Sequence, residues 1–439
     1  MSIAQEAIRS TVESLVPSAV EFLAKLISFP STSGKEHELM GWAEEAFGKL
    51  GVEVARVPLS DAIKQDEDYS SPIPDLRYDG RFNLRLRLPG SGRGATAGSS
   101  SSARLGKPTV APHRTLLFNT HTDVVPPSQG QEKPFVAVER DGVVHGRGAC
   151  DAKGQVATIW LVLATLAKLD ARPAGDVLAH LVVEEENGGN GTLAMARAGE
   201  KADACIVMEP TAGKIFTSVR GAVWFRLVCE GKPGHSGRAG ETISALALAR
   251  KAMDVLERYH DDLLAASRGI PLFDKYPNPM PITFGRLVAG DWPATAPARA
   301  TLEGVLGLLP NKTRHQVMDE LRAALAAADP MLEERVRVEF IYRHDSHVLD
   351  PEHPLAAGLH ACHADWGLPA EIDAMTASCD SWMYNNQLGI PTVVYGPGTL
   401  GFAHTNEEQI AVREIADAGC VLADFAMRWC VCGGLRVES

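Results

Sequence analysis

The chain has 439 residues, of which 45% are hydrophobic and 22% are charged, as in an ordinary globular protein. This length predicts roughly two or three domains with an ample buried core. Lys and Arg total 43 against 55 Asp and Glu, and the resulting net charge of −12 argues against a nucleic-acid-binding surface, which needs clustered basic residues.

The sequence predicts neither a membrane span nor a secretory signal. Its longest charge-free apolar run, 156–167, is shorter than the ~20 residues that a transmembrane helix needs. The amino-terminal stretch carries acidic residues and no apolar core segment. Eight cysteines are sparse for this length and include no C-x-x-C pair. Each is therefore expected to be a small buried residue in a cytoplasmic protein.

The first part of the chain predicts two helices and a strand. Apolar residues recur at helical spacing over 8–27, and a second helix over 36–50 is followed by Gly51 at the usual position of a helix C-cap. Residues 82–88 alternate like a strand. Residues 89–114 are dense in Gly, Ser and Ala, which predicts a long flexible insertion between two strands.

After this insertion, short apolar strands alternate with helices. That order is typical of an α/β fold with a largely parallel sheet whose faces are covered. The predicted strands are 115–119, 176–183, 204–208 and 391–395, and the predicted helices are 153–168, 193–198 and 412–428.

The middle of the chain follows a different order, βαββαβ, which is the ferredoxin-like pattern. Its predicted elements are strand 214–229, helix 242–259, strands 281–288 and 298–308, helix 312–327 and strand 336–343. We therefore predict one α/β domain formed by residues 1–213 and 346–439, with a second domain, residues 214–345, inserted into it.

Polar residues follow the predicted parallel strands, where open α/β sheets bind their ligands. These side chains are therefore expected to converge at one edge of the sheet. They are His121, Asp123, Glu184, Glu185, Glu186, Glu209 and His404, with Asp151 just ahead of helix 153–168.

Histidines and carboxylates without a thiolate suit divalent zinc, manganese or cobalt. Two ions need one carboxylate that bridges them, and the spare acid of a Glu pair can act as a base toward water. Any one of these positions alone is more often structural, because acidic runs and lone histidines are common. Their joint occurrence at strand ends favours a metal site.

Five segments carry a resemblance to a known family. In order and spacing they are similar to the signature segments of the M20 metallopeptidases, which include acetylornithine deacetylase, succinyl-diaminopimelate desuccinylase, aminoacylases and glutamate carboxypeptidase. The resemblance covers nearly the whole chain, and its segments are HTDVVPP (121–127), GRGACDAKG (146–154), EEENGGNGT (184–192), MEP (208–210) and AHTNEEQ (403–409).

This resemblance implies a two-domain metal-dependent hydrolase of amide C–N bonds, with Glu185 as the general base and later the acid. Asp123 would orient His121, and a cis peptide bond would follow Asp151. The implied cofactors are two divalent ions, zinc first and manganese or cobalt as alternatives. His121, Asp151 and Glu209 would hold one ion, and Asp151, Glu186 and His404 the other, with Asp151 bridging.

The inserted domain would be a lid through which two copies dimerise. Its segment Gly234-His235-Ser236-Gly237 matches the family segment whose histidine enters the partner subunit's active site and stabilises the oxyanion. Without the resemblance, His235 would be interpreted as an ordinary turn residue.

One departure concerns the substrate, expected to be a small N-acylated amino acid. Many family members carry an arginine that binds the substrate carboxylate, and Gly307 occupies that place here. Arg299 and Arg238 are candidates to replace it. The alternatives are a dipeptide or carboxypeptidase-type substrate, or a less usual C–N substrate without the amino-acid carboxylate.

Three other classes of protein fit the sequence less well. The sequence 396–401 fits G-x-G-x-x-G, but only one helix follows it, whereas a dinucleotide fingerprint opens a βαβ unit. These glycines are interpreted as a turn that brings His404 to the metals. A serine-hydrolase motif is absent, since Arg238 follows the sequence 234–237. A non-enzymatic relative would have lost a ligand or the base, and all are present.

Overall fold

The fold is given by a computed structural model that describes residues 5–92, 113–238 and 240–431. Most of the predicted insertion 89–114 and Cys432 lie outside these ranges. The described helices are α1 (Gln5–Ile27), α2 (His37–Gly48), α3 (Lys153–Lys168), α4 (Asn190–Arg197), α5 (Ala245–Ala266), α6 (Arg314–Ala328), α7 (Pro330–Arg335), α8 (Pro354–Asp365) and α9 (Val412–Trp429), with a 3-10 helix at Asp61–Gln65 and a π-helical turn at Met383–Gln387.

The strands fall into two main sheets and two small ribbons. They are β1 (Glu53–Pro58), β2 (Phe82–Leu88), β3 (Leu116–His121), β4 (Val138–Arg140), β5 (Val143–His145), β6 (Val177–Val182), β7 (Ala204–Val207), β8 (Ile215–Val219), β9 (Gly221–Glu230), β10 (Gly234–His235), β11 (Ile282–Ala289), β12 (Thr295–Ala296), β13 (Arg299–Leu308), β14 (Val336–His344), β15 (His347–Val348), β16 (Ile372–Met375), β17 (Thr392–Val394) and β18 (Gln409–Ala411).

The larger sheet has the order β1-β2-β6-β3-β7-β17-β8-β15, with β16 beside β8. Its centre, β6-β3-β7-β17, is parallel. These four strands are buried throughout, as their unbroken apolar sequences predict. Helices α1, α3 and α9 pack together beside this sheet in one core. The predicted α/β class with a largely parallel sheet is confirmed.

The smaller sheet has the order β11-β13-β9-β14 and is antiparallel throughout. With α5 and α6 it makes the ferredoxin-like arrangement that the βαββαβ order predicts. Alternate residues of β9, among them Val223, Phe225 and Leu227, enter a second hydrophobic core that also takes the apolar sides of α5 and α6.

The prediction of one strand over 214–229 is wrong. The chain leaves the larger sheet after Val219 and enters the smaller sheet at Gly221, so β8 and β9 belong to different sheets. A Cβ at residue 221 would lie 2.5 Å from the carbonyl oxygen of His344, which explains the glycine at this crossing. Both strands are apolar, so the sequence shows no boundary between them.

In the described ranges, no helix is long and apolar enough to cross a membrane. The cysteines of these ranges are all free and buried, in agreement with the expectation that they act as small core residues.

Candidate metal centre

The predicted ligands converge because their strands are neighbours. His121 is the last residue of β3, Glu185 and Glu186 follow β6, and Glu209 follows β7. These three strands run parallel and adjacent, so their carboxyl ends meet at one edge of the sheet.

Asp151 lies between the two histidines. One of its oxygens, Oδ1, is 3.0 Å from Nε2 of His121, and the other, Oδ2, is 3.2 Å from Nε2 of His404. His121 is also 3.8 Å from Glu209, and His404 is 3.1 Å from Glu186. Single donor atoms of His121, Asp151 and Glu186 all lie within 4.8 Å of one another, a spacing that suits a metal ion.

Glu408 holds the backbone around Asp151. The bond Asp151–Ala152 is cis, as the resemblance implied. The carboxylate of Glu408 accepts hydrogen bonds from the backbone N–H groups of Gly148, Cys150 and Asp151 at 2.9, 3.2 and 3.1 Å. Glu408 is therefore a positioning residue that the sequence analysis missed, although it lies in the segment 403–409.

Asp123 touches both His121 and the glutamate pair. Its backbone carbonyl accepts a hydrogen bond from Nδ1 of His121 at 2.9 Å, which leaves Nε2 of that ring free to bind a metal. Its carboxylate accepts from the backbone N–H groups of Glu185 and Glu186 at 3.0 and 3.3 Å, and from the hydroxyl of Ser33 at 2.7 Å. Asp123 therefore also holds the turn that carries both glutamates.

Glu184 holds the same turn from the other side. It has a φ of +62°, in the left-handed region that a glutamate rarely adopts, and its side chain is fully buried. Its carboxylate accepts hydrogen bonds from Tyr78 and Asn190 at 2.7 and 3.0 Å and pairs with Arg81. Arg81 also pairs with the buried Glu36 at 2.8 Å.

Buried carboxyl groups cluster at the candidate metal centre. Burial, together with the charges of Asp380 and Glu209, raises the pKa of Glu185 well above its ordinary value. Burial likewise raises the pKa of Glu209 and of Glu186. Although burial opposes it, hydrogen bonding to Asp151 and Glu186 raises the pKa of His404 to about 11. Clustered carboxylates with raised pKa values are stabilised by a positive charge, which can be a proton or a divalent cation. The donor set therefore fits metal ions.

Asp380 is a second acid that the sequence analysis missed. It is fully buried, accepts a hydrogen bond from Thr192, and its other oxygen has no hydrogen-bond partner among the described residues. Burial raises its pKa to about 7. The residue follows β16, a four-residue strand that the sequence analysis did not identify.

His235, in the segment 234–237, takes part in none of these contacts among the described residues. It is exposed in the β10–β12 ribbon, and its Nδ1 accepts a hydrogen bond from the backbone of Gly237 at 3.0 Å. Within the described ranges, none of its hydrogen bonds reaches the acidic residues.

The fold and the histidine–carboxylate cluster define a metal-dependent hydrolase built on an open α/β sheet. Residues 117–428 match the Peptidase family M20/M25/M40, and the chain belongs to this family. It is thus an enzyme of a metal-dependent group that hydrolyses C–N bonds.

Curated relatives carry several specific activities. The chain is 27% identical over 353 residues to N-formyl-4-amino-5-aminomethyl-2-methylpyrimidine deformylase from Bacillus subtilis, covering 73% of this chain and 80% of the relative. It is 28% identical over 330 residues to acetylornithine deacetylase from Pasteurella multocida, covering 72% and 80%.

Solved structures share the fold. A dipeptidase from Saccharomyces cerevisiae matches with a TM-score of 0.76 at 15% identity, over 98% of this chain and 99% of that one. A dinuclear metal-binding peptidase of the M20 family from Bacillus subtilis matches with a TM-score of 0.63 at 15% identity, over 95% and 99%.

Proposed function

We propose that the protein hydrolyses the amide C–N bond of a small N-acylated amino acid. The observation that carries this proposal is the position of Asp151 between His121 and His404, next to a glutamate pair in which Glu186 contacts His404. Among the described residues, its neighbour Glu185 forms a hydrogen bond or ion pair with neither histidine. Its carboxylate is therefore free for proton transfer.

The metal ligands proposed are His121, Asp151 and Glu209 for one ion and Asp151, Glu186 and His404 for the other. Zinc is the first candidate, with manganese or cobalt as alternatives. When bound, two such ions lower the pKa of water and polarise a carbonyl group.

Glu185 is the proposed proton carrier. It takes a proton from the attacking water while the water oxygen bonds to the scissile carbonyl carbon. It then gives that proton to the leaving nitrogen as the C–N bond breaks, so the products are a carboxylic acid and an amine. The raised pKa of Glu185 suits the first step, because a carboxylate whose pKa is raised is a stronger base than an ordinary glutamate.

The inserted unit supplies the rest of the proposed site. We assign residues 1–213 and 346–439 to the catalytic domain and 214–345 to a lid through which two copies dimerise. In the dimer, His235 enters the partner's site and donates a hydrogen bond to the oxyanion. A cytoplasmic location agrees with the free buried cysteines.

A second candidate function follows from Gly307, which carries no side chain to bind a carboxylate. A substrate without an amino-acid carboxylate, such as an N-formylated amine, is the alternative suggested by the deformylase relative. A dipeptidase or carboxypeptidase activity is the other, since a probable carboxypeptidase from Emericella nidulans is 28% identical over 331 residues.

The test is the replacement Glu185→Gln, assayed on N-acetyl amino acids, N-succinyl amino acids, dipeptides and N-formyl amines with zinc, manganese or cobalt. We expect one class to be turned over and the variant to lose at least ~10²-fold in kcat while it retains its metal. A variant with a near-wild-type rate would refute the role of Glu185. Turnover that resists chelators would refute the metal-dependent mechanism.

A further inference from the structure

His344 lies where the chain leaves the smaller sheet, as the last residue of β14. Its side chain is fully buried, with its ring centroid 4.1 Å from that of Tyr342 and 5.0 Å from that of Trp382. Its Nε2 lies 3.1 Å from the carbonyl oxygen of Gly188, and its Nδ1 lies 2.8 Å from the hydroxyl of Tyr342 and 3.3 Å from that of Ser378. Hydrogen bonds on both ring nitrogens therefore hold the imidazole in one orientation.

These partners also fix the tautomer of the ring. A carbonyl oxygen only accepts, so Nε2 of His344 carries the proton and donates a hydrogen bond to Gly188. Nδ1 then accepts from the hydroxyl of Tyr342 or of Ser378. Burial lowers the pKa of His344 to about 3, so the ring is neutral near pH 7 and keeps this single donor.

The carbonyl of Gly188 belongs to the peptide group that closes the turn 184–189, the glutamate turn. On the other side of this peptide group, the backbone N–H of Gly189 donates to the carbonyl oxygens of Glu184 and Glu185 at 2.8 and 3.2 Å. One peptide group therefore joins His344 of the smaller sheet to the backbone of the proposed base. Hydrogen bonds linked in this way polarise and strengthen one another.

A glycine at residue 188 permits this contact. Its φ of +100° lies in the region that favours glycine. A Cβ at this position would lie 2.2 Å from Cβ of Ser70 and 3.0 Å from Cδ2 of Tyr342. A side chain would therefore push the glutamate turn away from Tyr342 and from His344.

The backbone of Glu185 is held from two directions. Its N–H donates to the carboxylate of Asp123 at 3.0 Å, on the side of the larger sheet. Its carbonyl accepts from the N–H groups of Gly188 and Gly189 at 2.9 and 3.2 Å, and these contacts lead to the smaller sheet through His344. Loss of the imidazole would leave the carbonyl of Gly188 without this donor, while Asp123 would keep Glu185 close to its place.

We propose that His344 is a positioning residue for Glu185: it holds the peptide group 188–189 and thereby sets the place of the carboxylate that transfers the proton. This inference rests on the proposed function and adds a residue of the segment 214–345 to the proton-transfer step. Catalysis depends steeply on geometry, and a displacement of about 1 Å can cost roughly 10²-fold in rate. A variant without the donor should therefore bind metal and substrate normally and react slowly.

The first measurement is hydrogen exchange of the zinc-loaded protein, followed by mass spectrometry of peptides that cover residues 184–191. His344→Met removes the donor but keeps a side chain of similar size, and we expect the N–H groups of the glutamate turn to exchange about tenfold faster. In His344→Gln, the terminal amide nitrogen lies about as far along the side chain as Nε2 and can reach the carbonyl of Gly188. Exchange in this variant should stay close to that of the unmodified protein.

The shorter amide in His344→Asn does not reach that carbonyl, so its exchange should resemble that of His344→Met. Because His344→Gln and His344→Asn both keep a polar amide, their comparison remains valid if the methionine variant does not fold. Circular dichroism checks the folding of each variant.

The second measurement is kcat and KM on the substrate class that the unmodified enzyme turns over, with zinc content determined in parallel. His344→Met should lower kcat about 10²-fold, with a change in KM of less than about threefold and an unchanged zinc content. His344→Gln should recover most of the loss in kcat, and His344→Asn should not.

The control is His363→Met on α8. His363 is also buried, donates from Nδ1 to the carbonyl of Pro369 at 3.1 Å and packs against the ring of Tyr395. Its replacement should lower the urea midpoint about as much as His344→Met does. It should leave both the exchange of residues 184–191 and kcat unchanged.

Unchanged exchange of residues 184–191 in His344→Met would overturn the proposal, as would faster exchange with an unchanged kcat. Equal kcat values for His344→Gln and His344→Asn, a loss of zinc in His344→Met, or an equal loss of kcat in His363→Met would also overturn it. Failure of the proposed function has a different result: no turnover by the unmodified protein, or turnover that survives Glu185→Gln. The exchange comparison still decides in that case whether His344 holds the glutamate turn.

Discussion

At the scale of single residues, the two histidines lie in different environments. The side chain of His121 is 1% exposed, whereas that of His404 is 52% exposed, and the backbone of His404 has a φ of +61°. Among the described residues, Nδ1 of His121 is held by the carbonyl of Asp123 and its Nε2 faces Asp151, whereas His404 has a partner only at Nε2. His404 therefore contributes little to the fold and chiefly completes the cluster from the rim.

His404→Ala should accordingly remove one ion and leave the fold intact. We expect the metal content to fall from about two ions per chain toward one, since Asp151 and Glu186 alone make a weak site. Elemental analysis after dialysis measures this content. His315→Ala, an exposed histidine on α6, is the control and should retain both ions. An unchanged metal content in His404→Ala would contradict the proposed ligand set.

The proposed ligands could be predicted jointly, because they follow strands or lie in the segments that carry the family resemblance, although any one of them alone is more often structural. The buried acids Asp380 and Glu408 could not, because their contacts come from distant parts of the chain. Asp380 lies five residues after β16, a strand too short to identify, and Glu408 accepts hydrogen bonds from backbone N–H groups about 260 positions earlier in the chain. The sequence places Glu184 beside Glu185 and Glu186, but in the structure its side chain pairs with Arg81 instead.

At the scale of elements, Arg81 joins three segments around the larger sheet. It precedes β2 and pairs with Glu36, ahead of α2, and with Glu184, after β6. All three side chains are less than one-tenth exposed. Removing the cation would leave two buried carboxylates unpaired, beside the turn that carries Glu185.

Arg81→Met should therefore lower the free energy of unfolding by roughly 3–5 kcal/mol, the usual cost of breaking a buried pair. Arg226→Met removes a more exposed arginine of the smaller sheet, which pairs with Glu303, and should cost only about 1 kcal/mol or less. Urea denaturation of both variants measures the difference. Equal losses in the two variants would show that the Arg81 contacts contribute no more than a surface pair.

Regular elements were predicted best where local pattern and tertiary packing agree. Helix α3 was predicted with its exact limits, since its apolar positions and its flanking loops are distinct. Helix α8 was missed because its Ala- and His-rich sequence shows no clear polar side. The β8–β9 boundary was missed because both strands are apolar and only the tertiary structure separates them.

At the scale of the whole molecule, the two sheets are connected through the segment 68–71. Arg314 on α6 pairs with Asp68, and the backbone N–H of Ser71 donates to Ile341 of β14 at 2.7 Å. On its other side, the same segment exchanges two hydrogen bonds between Ser70 and Asn190, at 3.0 and 2.9 Å. Asn190 also donates a hydrogen bond to Glu184, so the segment 68–71 connects the smaller sheet to the glutamate turn.

The acidic cluster should also set how the stability of the whole molecule depends on pH and metal. The pKa values of Glu185, Glu186 and Glu209 are raised in the fold from 4.5, and that of Asp380 is raised from 3.8 to about 7. A carboxyl group whose pKa is raised by folding favours the folded state fully below its unfolded pKa. That contribution is lost as the pH rises through the folded pKa.

Chelator-treated protein should therefore be less stable at pH 8 than at pH 6, with a slope on the order of 1 kcal/mol per pH unit for each group that titrates. Added zinc should reduce or reverse the difference, because metal ions favour the ionised carboxylates. Thermal and urea unfolding at both pH values, with chelator or with zinc, test this. The slope should also be smaller in Asp380→Asn, which removes the carboxyl group whose pKa is raised to about 7. A metal-free protein that is equally stable at both pH values would show that the carboxylates are neutralised by contacts within the chain, and the argument for a cation at this site would lose its electrostatic basis.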